Sequence, residues 1–518
     1  MAGQIAAKDN PSTPSYDHRA MCDDWSMIRD ILAGGKWVKD AGARYLPKFQ
    51  RESNTAYDLR RESTPWRPEF VDALRSLCSK PFTKEVVVNP DAPDAIQGKV
   101  VDEKSKKRQG GLADDIDGQG NSLHVFARET FANGVAFGLE AIYVAWSADQ
   151  PLRTRAEEQV AGARPYWVHV RAENILALYR KRVGGRTVVS HIRIHECTVE
   201  QNGYEEVEVN RVRVLELNAA NQPTWQVFQA DGDMNYVPDA PPALLLGVTE
   251  IPVALFFTGE RSGNYRVRPP LIDLAWMQIE LYRAMSRKDQ ILTLAGSPML
   301  KAKGMVPPPP SRVVNAEGIE IDMPAPQIEV GPGIVLFAPP AAEGVQSDWD
   351  YVQPNAANIT EVRNDVDGIM EDFRRLALQP TTPKSGNMVA TGQAIEAAKS
   401  HSAVEVWANG LVAALNQALM YTCQWLKIPD TVTAVVHTDF GADISGTEES
   451  KVLGDMEKRG VISKQTERAE NARRGILGPE FDEEEEVARI AEEQQGLDPE
   501  EEIDPATGLP VDPNAIAA

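Results

Sequence analysis

Four groups of residues have types and spacings that could do chemistry. Asp115-Ile-Asp117-Gly-Gln-Gly120-Asn121 opens like a calcium loop, in which alternating oxygen ligands meet a sharp glycine turn. Its fifth position is Gln119, and its twelfth is Phe126, where a bidentate carboxylate is required. The segment therefore reads as a turn, with Asn121 or Ser122 capping the helix behind it. His191, His195 and Cys197 alternate along a strand pattern, and neutral imidazole and thiolate are transition-metal ligands. Arg193 sits between them on the same face, where a cation opposes a metal, and no fourth ligand is near in the sequence. Finally, His437, Asp439 and Asp443 follow a strand pattern, and Ser400 and Ser402 flank His401. Neither set lies in a nucleophile turn, and strand-end acids commonly form turns. A soluble metal-dependent hydrolase using His191, His195, Asp439 or Asp443 is the enzyme alternative.

Phosphate chemistry fares no better. The sequence contains no GxxxxGK[ST] loop and no Rossmann fingerprint. The cluster Lys104 to Lys107 with Arg108 reads as a solvated loop, or as a contact to nucleic-acid phosphate. Across 518 residues the formal net charge is −22. Between Glu480 and Ala518, fourteen acids face one base, Arg489, so the tail holds −13 and the rest only −9. A mildly acidic body excludes a basic DNA-grasping domain of the usual kind. The tail reads as a solubilising extension, or as a repulsive or docking surface. Apolar residues at 42% and charged residues at 25% are ordinary globular usage, and the length allows about three domains. Cys22, Cys78, Cys197 and Cys423 form no CxxC pair, which points to a reducing compartment. No signal-peptide core or membrane-span run is present, so a soluble, cytosolic chain is expected when made.

The elements that must position these residues follow from periodicity. From His18 to about Lys80, Trp25, Ile28, Ile31 and Leu32, then Phe70, Leu74, Leu77 and Cys78, recur at helical steps. A polar, arginine-rich connector, Arg51 to Pro65, separates the two runs, and residues 83–120 read as loop. A helix through Leu123, Phe126, Phe131 and Val135 precedes a short strand, Ala141 to Ala145. Over residues 165–260 the period falls to two, broken at QNGY, NAANQP and ADGDMN, which predicts an antiparallel meander. After Pro269 and Pro270, whose missing N–H groups suit a first helical turn, Leu271, Leu274, Ala275, Gln278, Leu281, Tyr282, Met285 and Leu292 form one stripe.

Residues 295–354 are rich in Pro and Gly and predict a compact insertion between two helices. In the second helix, Ala356 to Leu378, residues Ile359, Val362, Val366, Ile369, Phe373 and Leu376 alternate steps of three and four. That is a coiled-coil seam, and it requires a partner helix. A polar loop, Gln379 to Met388, leads into the longest helical pattern, Ala390 to about Lys427, with Val404, Trp407, Leu411, Leu415 and Leu419 on one side. A strand, Thr431 to His437, is followed by short charged helices over 447–495 and a polar end expected to be disordered.

This order of elements resembles a tailed-phage portal protein. Several stretches are similar to one portal-like group once catalogued only as a domain of unknown function. They are Asp117-Gly-Gln-Gly-Asn-Ser-Leu-His-Val-Phe-Ala127, Pro269-Pro-Leu-Ile-Asp-Leu-Ala275 with Ser-Pro-Met-Leu-Lys-Ala-Lys-Gly304, Ala390-Thr-Gly-Gln-Ala394 and Arg459-Gly-Val-Ile-Ser-Lys-Gln-Thr466. The resemblance spans roughly residues 20–495 and leaves out the acidic tail.

The resemblance implies an α+β chain with a wing at 18–268, its β-meander at about 165–260. It implies stem helices at 269–294 and 355–378, a clip at 295–354 and a tunnel loop at 379–390. A long wing helix at 391–427, a wing strand at 428–445, a crown at 446–495 and a disordered acidic tail at 496–518 complete it. The family further implies a homo-oligomeric ring, usually of twelve, at one capsid vertex, with double-stranded DNA sliding non-specifically through its axis. Partners would be the large terminase, a head–tail adaptor and the capsid or scaffolding protein, with no membrane, no cofactor and no metal. The chain would be made in the host cytoplasm and end in the virion. No catalytic residue is implied, since the motor ATPase is a separate chain. On this basis Lys384, and less directly Arg374 and Arg375, are the DNA-contact candidates; solvated surface or subunit–subunit ion pairs are their alternative. The seam at Ile359 to Leu376 is expected to lie unburied in a lone subunit and to be covered by neighbours in a ring. A capsid-vertex adaptor or scaffold without a channel is the remaining alternative.

Overall fold

The computed structural model describes residues 10–102, 107–147, 162–231, 235–296, 299–304, 312–314, 320–322, 342, 344, 346–352, 356–377, 390–438, 453–473 and 486–490, with some side chains omitted, notably 390–402. The chain divides into two units, Met1–Thr438 and Asp439–Ala518.

Helix α1 (Tyr16–Ala33) begins where the Ser15 hydroxyl accepts from the His18 N–H, and it stops at Gly34, whose φ of 101° suits glycine. Its apolar stripe buries Met21, Trp25, Met27, Ile28 and Ile31, and the Trp25 indole N–H donates to the Phe137 carbonyl at 3.0 Å. After α2 (Gly35–Asp40), the connector read as merely polar is a helix, α3 (Asn54–Ser63), capped by Ser53. Its one buried side chain is Arg60, so no apolar stripe betrayed it. Helix α4 (Glu69–Ser79) buries Phe70, Ala73, Leu74, Leu77 and Cys78. The stretch read as loop carries β1 (Val87–Val88), α5 (Asp94–Gln97) and the hairpin β2 (Lys99–Asp102) with β3 (Lys107–Gln109). Helix α6 (Leu123–Phe137) is capped by Ser122 and ends at Gly138 in the left-handed region.

The meander is split between two sheets. Strand β4 (Leu139–Trp146) takes β5 (Pro165–Arg171) on one side and, much later in the chain, β12 (Val253–Phe257) on the other. A short 3-10 turn at Ala172–Asn174 then sends the chain into a separate sheet. Its strands are β6 (Ile175–Val183), β7 (Arg186–Asn202), β8 (Glu205–Leu217), β9 (Pro223–Ala230) and β10 (Tyr236–Pro238), antiparallel in chain order, with β11 (Ala243–Leu244) also on β9. The Asn-Gly signal holds: Asn202 pairs with Glu205 around Gly203 at φ 67°. The hairpin β13 (Glu260–Ser262) and β14 (Arg266–Arg268) leads to helix α7 (Ile272–Gly296), which starts just beyond Pro269 and Pro270.

The insertion shows two small antiparallel pairs, β15 (Met299–Lys303) with β18 (Asp348–Val352) and β16 (Arg312–Val314) with β17 (Glu320–Asp322). Helix α8 (Ala356–Leu376), helix α9 (Ala390–Leu426) and β19 (Ala434–Val435), which pairs with β1, close the unit. Of the expected strand Thr431 to His437, only these two residues pair.

Helices α6 and α9 pack on the β12-β4-β5 sheet. Gly134 permits close approach, because a Cβ there would collide with the buried Phe256 ring. On α9, Val404, Trp407, Leu411, Leu415 and Leu419 are buried, as the spacing predicts. Three indole bonds fix the helix: Trp407 to the Thr258 carbonyl at 3.1 Å, Trp167 to the Thr422 hydroxyl at 2.9 Å, and Trp425 to the Val144 carbonyl at 3.3 Å.

The second unit, described by itself, has α10 (453–458), α11 (Lys464–Arg473), capped by Ser463, and a short helical stretch at 486–490. The expected disordered tail at 496–518 lies outside the described residues. Among those residues, mixed helix and sheet make the chain α+β, and no helix is long and apolar enough to cross a membrane.

Candidate channel helices

Helices α7 and α8 lie antiparallel, their far ends joined through β15 and β18, where Met299 pairs with Val352 and Lys303 with Asp348. Leu281, Ala284 and Met285 of α7 enclose Val366 of α8, with Ile369 and Met370 packed beside it, and Arg287 reaches Asp365 at 3.5 Å. This corrects one expectation. The seam finds its partner helix inside the same chain, with Val366 and Phe373 1% exposed in a single copy. The reason is that the α7 stripe supplies the matching apolar face. Ile359, Val362 and Ile369 stay half-buried, while Leu376 and, on α7, Leu292 and Trp276 remain exposed at 48%, 39% and 53%.

The other side of α7 is fixed to the N-terminal helices by polar groups. Gln278, fully buried within the stripe, accepts from the Phe70 N–H at 3.0 Å and donates to the Arg67 carbonyl at 2.7 Å. Arg60 of α3 donates to both Glu52 oxygens (2.7 and 2.8 Å), to the Pro47 carbonyl (3.0 Å) and to the Ser286 hydroxyl of α7 (3.3 Å). The Phe49 ring covers its guanidinium at 4.2 Å. The two charged side chains are 3% and 7% exposed, and the hydrogen bond from Arg60 holds the Glu52 carboxyl below its usual range. This anchor was missed in the sequence; the only signal was an arginine-rich run.

The solvent face of α8 carries Glu361, Asp365, Asp367, Glu371 and Asp372 against Arg363 and Arg375, with Arg374 half-buried. Arg374 and Arg375 fall in the last helical turn, where cations suit the helix dipole, and Arg375 is paired to Asp372 at 2.8 Å. Lys384 lies outside the described residues, as do Asp439, Asp443 and the side chains of Ser400, His401 and Ser402.

Several of the remaining candidates have partners within the fold. Asp117 accepts from the Gln119 and Asn121 N–H groups at 2.9 and 3.3 Å, and from the Asn121 side chain at 2.7 Å. Asp115 accepts from the Gly120 N–H and pairs with Arg164; that N–H first, then Arg164, hold its carboxyl below the usual range. His191 faces Glu216 at 3.4 Å, Arg193 donates to the Pro11 carbonyl at 2.9 Å, and the Cys197 thiol donates to Glu208 at 3.2 Å. Arg108 pairs with Asp94. Among the described residues, no three His, Cys, Asp or Glu side chains are grouped to hold a metal ion.

Against known proteins, the family model described as "Domain of unknown function (DUF4055)" matches residues 270–426. That is the block from the start of α7 to the end of α9. No protein of curated function matches. Among solved structures, the neck of a native GTA particle computed with C12 symmetry is 10% identical at a TM-score of 0.37, covering 84% of this chain and 97% of that one. The neck of an empty GTA particle computed with C6 symmetry gives 10%, 0.37, 82% and 96%. The virion of a native gene transfer agent particle gives 9%, 0.37, 83% and 97%.

Proposed function

We propose that this chain is the portal subunit of a tailed phage or phage-like particle. Copies close into a ring, on the family's pattern of twelve, at one capsid vertex, and double-stranded DNA passes through the axis in packaging and ejection. The observation that carries the reading is the antiparallel pair α7–α8, which holds a Pro/Gly-rich insertion at its far end and presents an acid-rich solvent face. A conduit must hold DNA without trapping it, and five acids against three arginines on α8 favour sliding over gripping. In this reading α7 and α8 are the stem, residues 295–354 the clip for terminase and adaptor, 379–390 the tunnel loop, and 446–495 the crown. The chain does no chemistry itself and resides in the virion. A metal-dependent hydrolase gains no support from His191, which faces a carboxylate, or from Cys197, whose thiol does too.

Negative-stain microscopy of the purified protein tests the reading: annular particles with a central hole are expected, and a well-folded monomer at high concentration would refute it. Charge reversal separates the DNA candidates. Lys384→Glu is expected to lower DNA packaging and retention several-fold, whereas Arg375→Glu, whose parent guanidinium is already paired with Asp372, should change them little. Unchanged packaging in the Lys384 variant would remove the tunnel-loop assignment.

A further inference from the structure

The larger sheet carries opposite charge at its two ends. The β6–β7 hairpin holds Arg180, Lys181, Arg182 and Arg186 with no acid between Tyr179 and Thr187. Gly184 and Gly185, at φ 55° and 84°, make its turn. Arg180 and Arg261 both lie over the Phe257 ring, at 5.7 and 4.5 Å. Among the described residues none of the four hairpin cations has a carboxylate within 4 Å. The opposite end, Cys197 to Asn210, holds Glu200, Glu205, Glu206 and Glu208 with no base.

That acidic end is a bare ribbon. Strand β6 leaves β7 at the Ile175–Ile194 pair, and β9 leaves β8 at the Arg211–Gln229 pair. Residues 197–210 therefore pair only with one another, from Cys197–Asn210 to Asn202–Glu205. At about 3.3 Å per residue the tip projects roughly 25 Å past the sheet. A lone two-stranded ribbon is marginal in water, and this one exposes Val199 (63%), Val207 (42%) and Tyr204 (107%). Within the chain Glu200 is held by Arg211 at 2.7 Å, and Glu208 accepts from Cys197 and Asn210. Glu205 and Glu206 have no ion pair among the described residues.

Strand β7 runs from one end to the other over 17 residues, roughly 55 Å at the same rise, so the two charged ends cannot meet within one copy. We propose that the acidic ribbon of one copy docks on the basic β6–β7 hairpin of a second copy, head to tail. Glu205, Glu206 and Glu208 meet Arg182 and Arg186, and Tyr204 covers a guanidinium. A head-to-tail contact repeats from copy to copy and closes when the rotation allows, so this contact deepens the ring reading by naming its partner surface.

Sedimentation velocity at low and high salt tests it, with particles imaged in parallel. One variant carries Glu205→Arg, Glu206→Arg and Glu208→Arg; the other carries Arg182→Glu and Arg186→Glu. Each alone is expected to associate about tenfold more weakly or worse, since the residues that meet in the contact then all bear one sign. An equimolar mixture of the two, or one chain carrying all five changes, is expected to recover association, which a folding defect would not do. Salt should weaken the wild-type contact. Rings that form equally in both variants overturn the docking and leave the portal reading intact. Open, charge-dependent chains of copies without a central hole overturn the portal reading and leave the docking intact, and a wild-type monomer overturns both.

Discussion

Val366→Asp is expected to unfasten the α7–α8 pair. The valine is enclosed by Leu281, Ala284 and Met285, with Ile369 and Met370 packed beside it. An uncompensated charge there costs on the order of 3–5 kcal/mol, a large share of a domain's stability. The sign with pH follows. Burial raises the folded-state pKa of the new carboxyl above its unfolded value, so the defect is smallest in acid and grows as pH rises through that window. Urea unfolding at pH 5 and pH 8 measures it. A midpoint matching wild type at pH 8 would mean that the seam is not a structural contact.

The second large effect is expected at Glu52. Glu52→Gln keeps one oxygen that can accept from the buried Arg60 but removes the second acceptor and the negative charge, and breaking a buried pair in this way costs about 3–5 kcal/mol. Because the native Glu52 pKa lies below the ordinary 4.5, the pair's contribution is present above that value and is lost as pH falls through the depressed one. The variant should therefore lose stability at neutral pH and show a shallower acid decline than wild type. A double change, Glu52→Leu with Arg60→Met, should recover part of the loss, since apolar replacements of buried pairs are often tolerated. If the single variant unfolds within about 0.5 kcal/mol of wild type, in the range of an ordinary surface change, the anchor contributes nothing.

Elements with an apolar period were legible in the sequence. The stripe of α7, the seam of α8, the long α9 and the Asn-Gly hairpin all stand where spacing puts them. What escaped was decided by polar or distant partners. Helix α3 has no apolar stripe because it buries an arginine instead. Strand β5 pairs backward with β4 instead of onward with β6, a pairing that a period of two does not reveal. The seam residues announced that they needed a partner but not which one. Period alone cannot tell a neighbour in the same chain from a neighbour in a ring. Of the DNA-contact candidates, Arg375 already has a local partner, which a sequence read position by position does not reveal.

The segment 270–426 is also not self-sufficient. Gln278 and Ser286 of α7 find their polar partners in α3, α4 and the turn between them, and the α9 indoles of Trp407 and Trp425 bond to the carbonyls of Thr258 and Val144. Residues 270–426 made as a separate fragment would therefore leave those groups without the partners they have in the full chain.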